Sequence, residues 1–285
     1  MPHPRKIKGI VSREELYDLY VNQKLSIPKL AQRFGVCEES VRQLMIDYEI
    51  PRRTLAETAS LLSPKKVNEN FFSEWSNEMA YILGIIVTDG SLDDKTRDLR
   101  ISLTDHDLVF KMAEAMGLEN GVQIITRKGS PTPQAMLSIA RKQIFDDLLR
   151  LGVFLSRNHD KTFNQTFPNV PPEYRSHFIR GLFDGDGSIV IRRRTTNNLS
   201  KEMMIVNASL DLIEGLAAAV EEDIGVKGRI AYHVKPSETK KAVYRYGIFT
   251  RDDVDRFGDY IYKDAGNLYL KRKKDRFDVK KEEIA

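Results

Sequence analysis

Cysteine is nearly absent: Cys37 stands alone in 285 residues, which excludes intramolecular disulfides and any zinc site built on paired cysteines. We read it as a small buried or turn residue rather than a nucleophile, and the cysteine usage as that of a cytoplasmic protein. Long apolar runs are missing too. The longest, Ala80 to Val87, is less than half of what a bilayer span requires. The amino terminus lacks the apolar core of a secretory signal, and its early acidic residues argue against a transit peptide. Strong charge of one sign is also lacking, since 45 basic residues face 41 acidic ones and leave +4. That balance is weak support for a nucleic-acid partner by itself. Its distribution is more telling, because the last third is the most densely charged, with runs at Arg192-Arg193-Arg194 and Lys271-Arg272-Lys273-Lys274. Such runs usually mark solvated faces.

What is present falls into two patterns. Over residues 1–62 the apolar positions follow helical spacing: Leu16, Leu19 and Tyr20, then Leu30, Ala31 and Phe34, then Val41, Leu44 and Met45. Gly35 allows a sharp turn between two helices, and Ala31 lets them pack closely. This pattern is similar to a helix-turn-helix, whose second helix, 38–48, would present Arg42 and Gln43 to DNA. Residues 63–71 are polar and aperiodic, which marks a linker.

Beyond it one cycle of elements occurs twice. The first pass reads helix 77–88, strands 91–95 and 99–104, helix 105–116, strands 122–127 and 135–140, and helix 142–151. The second reads helix 172–185, strands 188–193 and 202–207, helix 210–224, strands 228–234 and 243–250, and helix 252–262. The expected fold class is α+β: two αββαββα repeats, 72–170 and 171–285, behind a small all-α domain. Thr104 and Ser209 stand as N-caps, and Gly117 and Gly225 as C-cap glycines. A duplicated unit makes a pseudo-two-fold monomer that does alone what a symmetric dimer would do.

Each cycle opens on an apolar helix ending in Asp-Gly-Ser, namely ILGIIVTDGS and IRGLFDGDGS. Gly84, Gly181 and Gly185, with Ala80, are small residues at helical spacing that allow two backbones a close approach. If these helices pack together, Asp89 and Asp186 emerge side by side at their negative ends. Such carboxylates repel unless one is protonated or a cation sits between them. Hard oxygen ligands select Mg²⁺ (or Mn²⁺), the ions of phosphoryl transfer. No Ser-His-Asp or Cys-His arrangement or phosphate loop competes.

At these residues the chain resembles the LAGLIDADG homing endonucleases, through ILGIIVTDG and IRGLFDGDG and also FPNVPPEYRSHFIRGLFDGDGSI and YIYKDAGNLYLKRKKDRF. The resemblance covers about residues 72–276. It implies a saddle of antiparallel sheets over the DNA major groove, with one acid per motif binding divalent metal and cutting one strand: Asp89 and Asp186. Asp184, opposite Val87 of the first motif, would be structural. A lysine after each repeat's last helix often assists the attacking water in the family; Lys161 fits that position, and Lys273 is its counterpart in the second repeat. The implied function is site-specific double-strand cleavage by a monomer on a long, non-palindromic duplex. The alternative is a catalytically silent DNA-binding regulator or an intron-RNA splicing factor; such members commonly lose a motif acid, and both acids are here. The chain's ends lack intein residues, so we expect a free-standing or intron-encoded protein.

For DNA contacts we expect Lys95, Arg97, Arg100 and Arg127 in the first repeat, and Arg192, Arg194, Lys201, Arg229, His233, Lys235 and Arg245 in the second. Alternation along the strand puts Val190, Arg192 and Arg194 opposite Ile189 and Ile191. His106, His159, His177 and His233 lack metal-ligand spacing, and we expect them at the surface or facing DNA.

Overall fold

A computed structural model of the chain describes residues 11–54, 57–58, 66–126, 131–153, 165–195, 198–237 and 240–279. The chain divides into two compact units, 1–63 and 64–285.

In the first unit α1 (Arg13–Tyr17) starts at Ser12, whose side chain accepts from Glu15 N, and runs into a π-helical turn, Asp18–Asn22. It is followed by α2 (Ile27–Phe34) and α3 (Glu38–Asp47). Gly35 links the last two at φ +65°, a left-handed conformation that glycine adopts without Cβ strain. Leu16, Leu30, Ala31, Val41, Leu44 and Met45 form the core, as their helical spacing requires.

In the second unit α4 (Asn77–Asp89) is buried from Met79 through Val87, because a helix apolar on every side has no face to give to water. Gly90 then turns the chain into extended backbone and opens β1 (Gly90–Asp93). The rest of the repeat is β2 (Asp98–Leu103), α5 (His106–Ala115), β3 (Val122–Ile125), β4 (Gln134–Ala140) and α6 (Lys142–Arg150). The second repeat follows the same plan: α7 (Pro172–Asp186), β5 (Gly187–Thr195), β6 (Asn198–Asn207), α8 (Leu210–Ile224), β7 (Arg229–Val234), β8 (Val243–Ile248) and α9 (Arg251–Tyr262). A further helix, α10 (Lys271–Phe277), is formed over the basic run at 271–274 and is the last element among the described residues. Ser209 caps α8 as expected, whereas α5 starts one residue after the expected cap, with Asp105 at that position.

Both sheets are antiparallel and four-stranded, ordered β1-β2-β4-β3 and β5-β6-β8-β7. Equivalent registers, Gly90 opposite Ile101 and Gly187 opposite Ile205, make the two motifs structural counterparts. One face of each sheet is buried, through Leu99, Ile101, Ala135 and Leu137 in the first and Met203, Ile205, Tyr246 and Ile248 in the second. The other face carries Ser91, Arg100 and Ser138 in the first and Ser188, Arg192, Glu202 and Arg245 in the second. A single apolar core runs through both repeats.

The helices α4 and α7 cross at glycine. A Cβ on Gly84 would collide with the Phe178 carbonyl and lie 2.8 Å from Gly181 Cα; one on Gly181 would collide with the Tyr81 carbonyl. At Gly185 the obstacle is Thr88 of the other helix, with Asp89 Oδ2 2.8 Å away. Thr88 thus fills the space that Gly185 leaves, which is how the first motif accommodates a threonine there.

Candidate active site

Because α4 and α7 cross so closely and each ends on its motif acid, Asp89 and Asp186 share one end of the helix pair. The carboxyls are held differently. Thr88 Oγ1 lies 2.9 Å from Asp89 Oδ2, while Asn207 of β6 donates to Asp186 Oδ2 at 3.2 Å. The equivalent of Asn207 in the first repeat is Leu103, by the matching registers, so Asp89 lacks that support from its sheet. Burial, and then the charge of Asp89, pushes the Asp186 carboxyl up to about 6. Burial raises Asp89 as well, partly offset by its bond from Thr88 and by Lys273. Asp186 is half-buried and Asp89 open to solvent, and two oxygen acids, each made less acidic, form a donor set that suits a hard cation completed by phosphate and water. Among the described residues no group of three or more His, Cys, Asp or Glu side chains is gathered for a metal.

Asp184 plays a different part. It is buried at 2% exposure and accepts from Tyr81 Oη at 2.9 Å, Tyr262 Oη at 2.7 Å and Leu270 N at 2.9 Å, so its oxygens are occupied inside the protein. Nearby, the buried Arg180 donates to the carbonyls of Ile261 and Leu268 and to His177 Nδ1 at 2.8 Å. His177 is therefore not at the surface. It faces inward from α7, and burial with Arg180 beside it lowers its pKa to about 4, which keeps it neutral.

Lys273 lies under the site. Its Nζ donates to the carbonyls of Phe183 at 2.8 Å, Asp184 at 2.6 Å and Gly185 at 3.1 Å, the last turn of α7. Burial pulls its pKa down to about 8 against the pull of Asp184, Asp186 and Asp89.

The expected DNA contacts divide into groups. Arg127 and Lys161 lie outside the described residues, as does the side chain of Arg194, whose backbone is in β5. Lys95 and Arg97 are exposed in the β1–β2 turn, and Arg100 on the outer face is ion-paired to the buried Asp98 at 2.6 Å. Arg192 is exposed on the outer face of the second sheet, 3.5 Å from Glu202. Arg229 and Arg245 share that face, and His233 sits exposed at the irregularity of β7 with Lys235 just beyond it. In the first unit Arg42 pairs with Glu38 and Glu39, and Gln43 donates to Asp47.

Lys201 does not belong to this set. It shares the inner face of β6 with Met203 and Ile205, is 2% exposed, and donates to Asp255 at 2.6 Å and to the Phe277 carbonyl at 2.5 Å. A side chain so engaged cannot reach DNA; it ties the sheet to α9 and α10. Thr88, Asn207, Asp105 and Arg272 are the site residues that sequence reasoning missed.

The protonation of Asp186 sets a pH dependence. Its carboxyl binds a proton more tightly folded, at about 6, than unfolded, near 3.9, so the folded protein loses stability as pH rises between these values. His177, lowered from 6.5 to about 4, acts with opposite sign over much of that window. The share of Asp186 is therefore read as a difference: stability of Asp186→Asn relative to the metal-free parent should rise as pH goes from about 4 to about 6. A difference independent of pH in urea titrations would show that this carboxyl is not perturbed.

Residues 173–262 match the family model described as a LAGLIDADG-like domain. Among curated proteins the chain is 27% identical over 200 residues to the "Probable translation initiation factor IF-2" of Methanocaldococcus jannaschii, covering 68% of this chain and 15% of that protein. It is 21% identical over 281 residues to an uncharacterized protein of the same archaeon, covering 92% and 95% of the two chains. Among solved structures it is similar to the N-terminal LAGLIDADG domain of WhiA, at 17% identity over 74% of this chain and 92% of that one, with a TM-score of 0.44. It is also similar to the homing endonuclease I-WcaI bound to its DNA recognition sequence, at 11% identity, 73% and 91% coverage and a TM-score of 0.47. For I-DmoI in complex with DNA and Ca the values are 18%, 71% and 94%, and 0.42. No helix among the described residues is long and apolar enough to cross a membrane. The match to a LAGLIDADG-like domain lies in the second repeat, at residues 173–262, and the chain builds the unit of motif helix and four-stranded sheet twice.

Proposed function

We propose that this protein is a site-specific, divalent-metal-dependent DNA endonuclease that cuts both strands of a long, non-palindromic duplex and acts as a monomer. The observation that carries the reading is the pair of motif aspartates at the ends of two glycine-crossed helices, each carboxyl shifted upward in pKa by its surroundings. Asp89 and Asp186 would hold Mg²⁺ or Mn²⁺, with Asn207 orienting the second acid. Bound there, such an ion supplies Lewis acidity and positive charge at the scissile phosphate. Lys161 remains the candidate for assisting the attacking water in the first half. The outer sheet faces would lie on the DNA, with the first unit adding contacts through Arg42 and Gln43. Selecting bound duplexes from a randomised pool and then adding Mg²⁺ tests the reading. Scission of both strands is expected; binding without scission would favour a binding-only regulator.

The two halves should read DNA unequally. Arg192, Arg229 and Arg245 share the outer face of the second sheet, Arg192 held only at 3.5 Å by Glu202, whereas Arg100 on the first is paired at 2.6 Å to the buried Asp98. An arginine bidentate to guanine discriminates by about 1–3 kcal/mol, while a phosphate contact adds affinity without selectivity. Arg192→Ala is expected to relax base preference only in the half-site under the second repeat. A uniform loss of affinity with unchanged preference would show that Arg192 holds phosphate.

A further inference from the structure

The stretch that follows α9 fastens both halves of the site. Leu268 accepts from Arg180, Leu270 N donates to Asp184, and Lys273 takes three carbonyls in the last turn of α7, those of Phe183, Asp184 and Gly185. One residue before Lys273, Arg272 grips Asp105 of the first repeat with two bonds, 3.0 and 2.8 Å. A helix of seven residues, α10, therefore touches both repeats beside their acids. The carbonyls it reaches are the negative end of the α7 dipole, to which Asp89 and Asp186 add their charge. An ammonium has three N–H donors, and three carbonyls use all of them. None is left for a water molecule, so assisting an attacking water is not what this geometry serves.

We propose that Lys273 is a positioning residue, the resident counter-ion of the two-aspartate site, held there by α10 acting as a strap between the repeats. It lets the two carboxyls stay side by side when no metal is bound. A cation fixed at that place and a divalent ion both offset the same negative charge, and each matters more when the other is missing. The metal arm of this inference rests on the function proposed above; the counter-ion arm does not.

The test uses the full chain with Lys273→Gln, which keeps two N–H donors and removes the charge, and Lys273→Met, which removes both charge and donors. Melting temperatures are read in chelator and in Ca²⁺, with and without Asp186→Asn. Lys273→Gln should melt roughly 5 °C or more below the parent in chelator. Ca²⁺ should raise the variant more than the parent, and Asp186→Asn should recover part of the loss without any metal. If a variant folds only with Ca²⁺ or with Asp186→Asn, that result supports the same role. A deficit equal in all conditions and backgrounds, or no deficit at all, overturns it. If Ca²⁺ shifts no protein, the parent included, the metal reading fails, while recovery by Asp186→Asn still upholds Lys273 as counter-ion and its absence refutes it.

Discussion

Gly84→Ala and Gly181→Ala should each destabilise the second unit by about 3 kcal/mol or more, a fall of roughly 6–12 °C in melting temperature. Overpacking is usually absorbed by a side chain that moves. Here the added Cβ meets the backbone of the opposite helix, the Phe178 carbonyl in one case and the Tyr81 carbonyl in the other, with the facing glycine Cα 2.8 Å away in both. Only separation of the helices relieves it, and separation would also part Asp89 from Asp186 and stretch the Tyr81 bond to Asp184. Gly152→Ala is the control. Its Cβ meets nothing within 4 Å, so only the strain of φ +82° remains, about 1 kcal/mol. Thermal melts of the three variants decide; equal small shifts would mean that the helices are not in backbone contact.

Asp89→Asn and Asp186→Asn should each abolish double-strand cleavage while leaving duplex binding nearly intact. Each substitution removes a ligand charge but no side chain of the outer sheet faces, where we place the DNA contacts. A metal contributes several kcal/mol of transition-state stabilisation, and each 1.36 kcal/mol is tenfold, so losses of about 10³ or more are expected. Ca²⁺ in place of Mg²⁺ should support binding with little cutting, because the larger ion prefers a looser and higher coordination.

Much of this arrangement is legible in the sequence because it repeats. The doubled helix ending in Asp-Gly-Ser marks the acids, and glycines at helical spacing mark the crossing. What escaped has identifiable reasons. The charge of Lys201 suggests a DNA contact, but Met203 and Ile205, two and four residues on, put its strand position on the buried face. In the run at 271–274, Leu270, Lys273 and Phe277 recur at helical spacing and all are buried, so a lysine in a solvated-looking stretch becomes part of the interior. His177 lies three residues before the buried Arg180 on the same helix face. The Arg272 bond to Asp105 spans 167 residues, and no local pattern in one sequence announces a pair that distant.

The most direct measurement is a strand-resolved, single-turnover assay on a selected duplex labelled at both ends, run with the parent protein, Asp89→Asn and Asp186→Asn over a Mg²⁺ titration. We expect one cut in each strand for the parent, dependent on Mg²⁺, and no double-strand product from either variant at concentrations that saturate binding. Double-strand cutting by both variants at the parent's rate, or cutting by the parent that persists in chelator, would contradict a metal centre built on this pair.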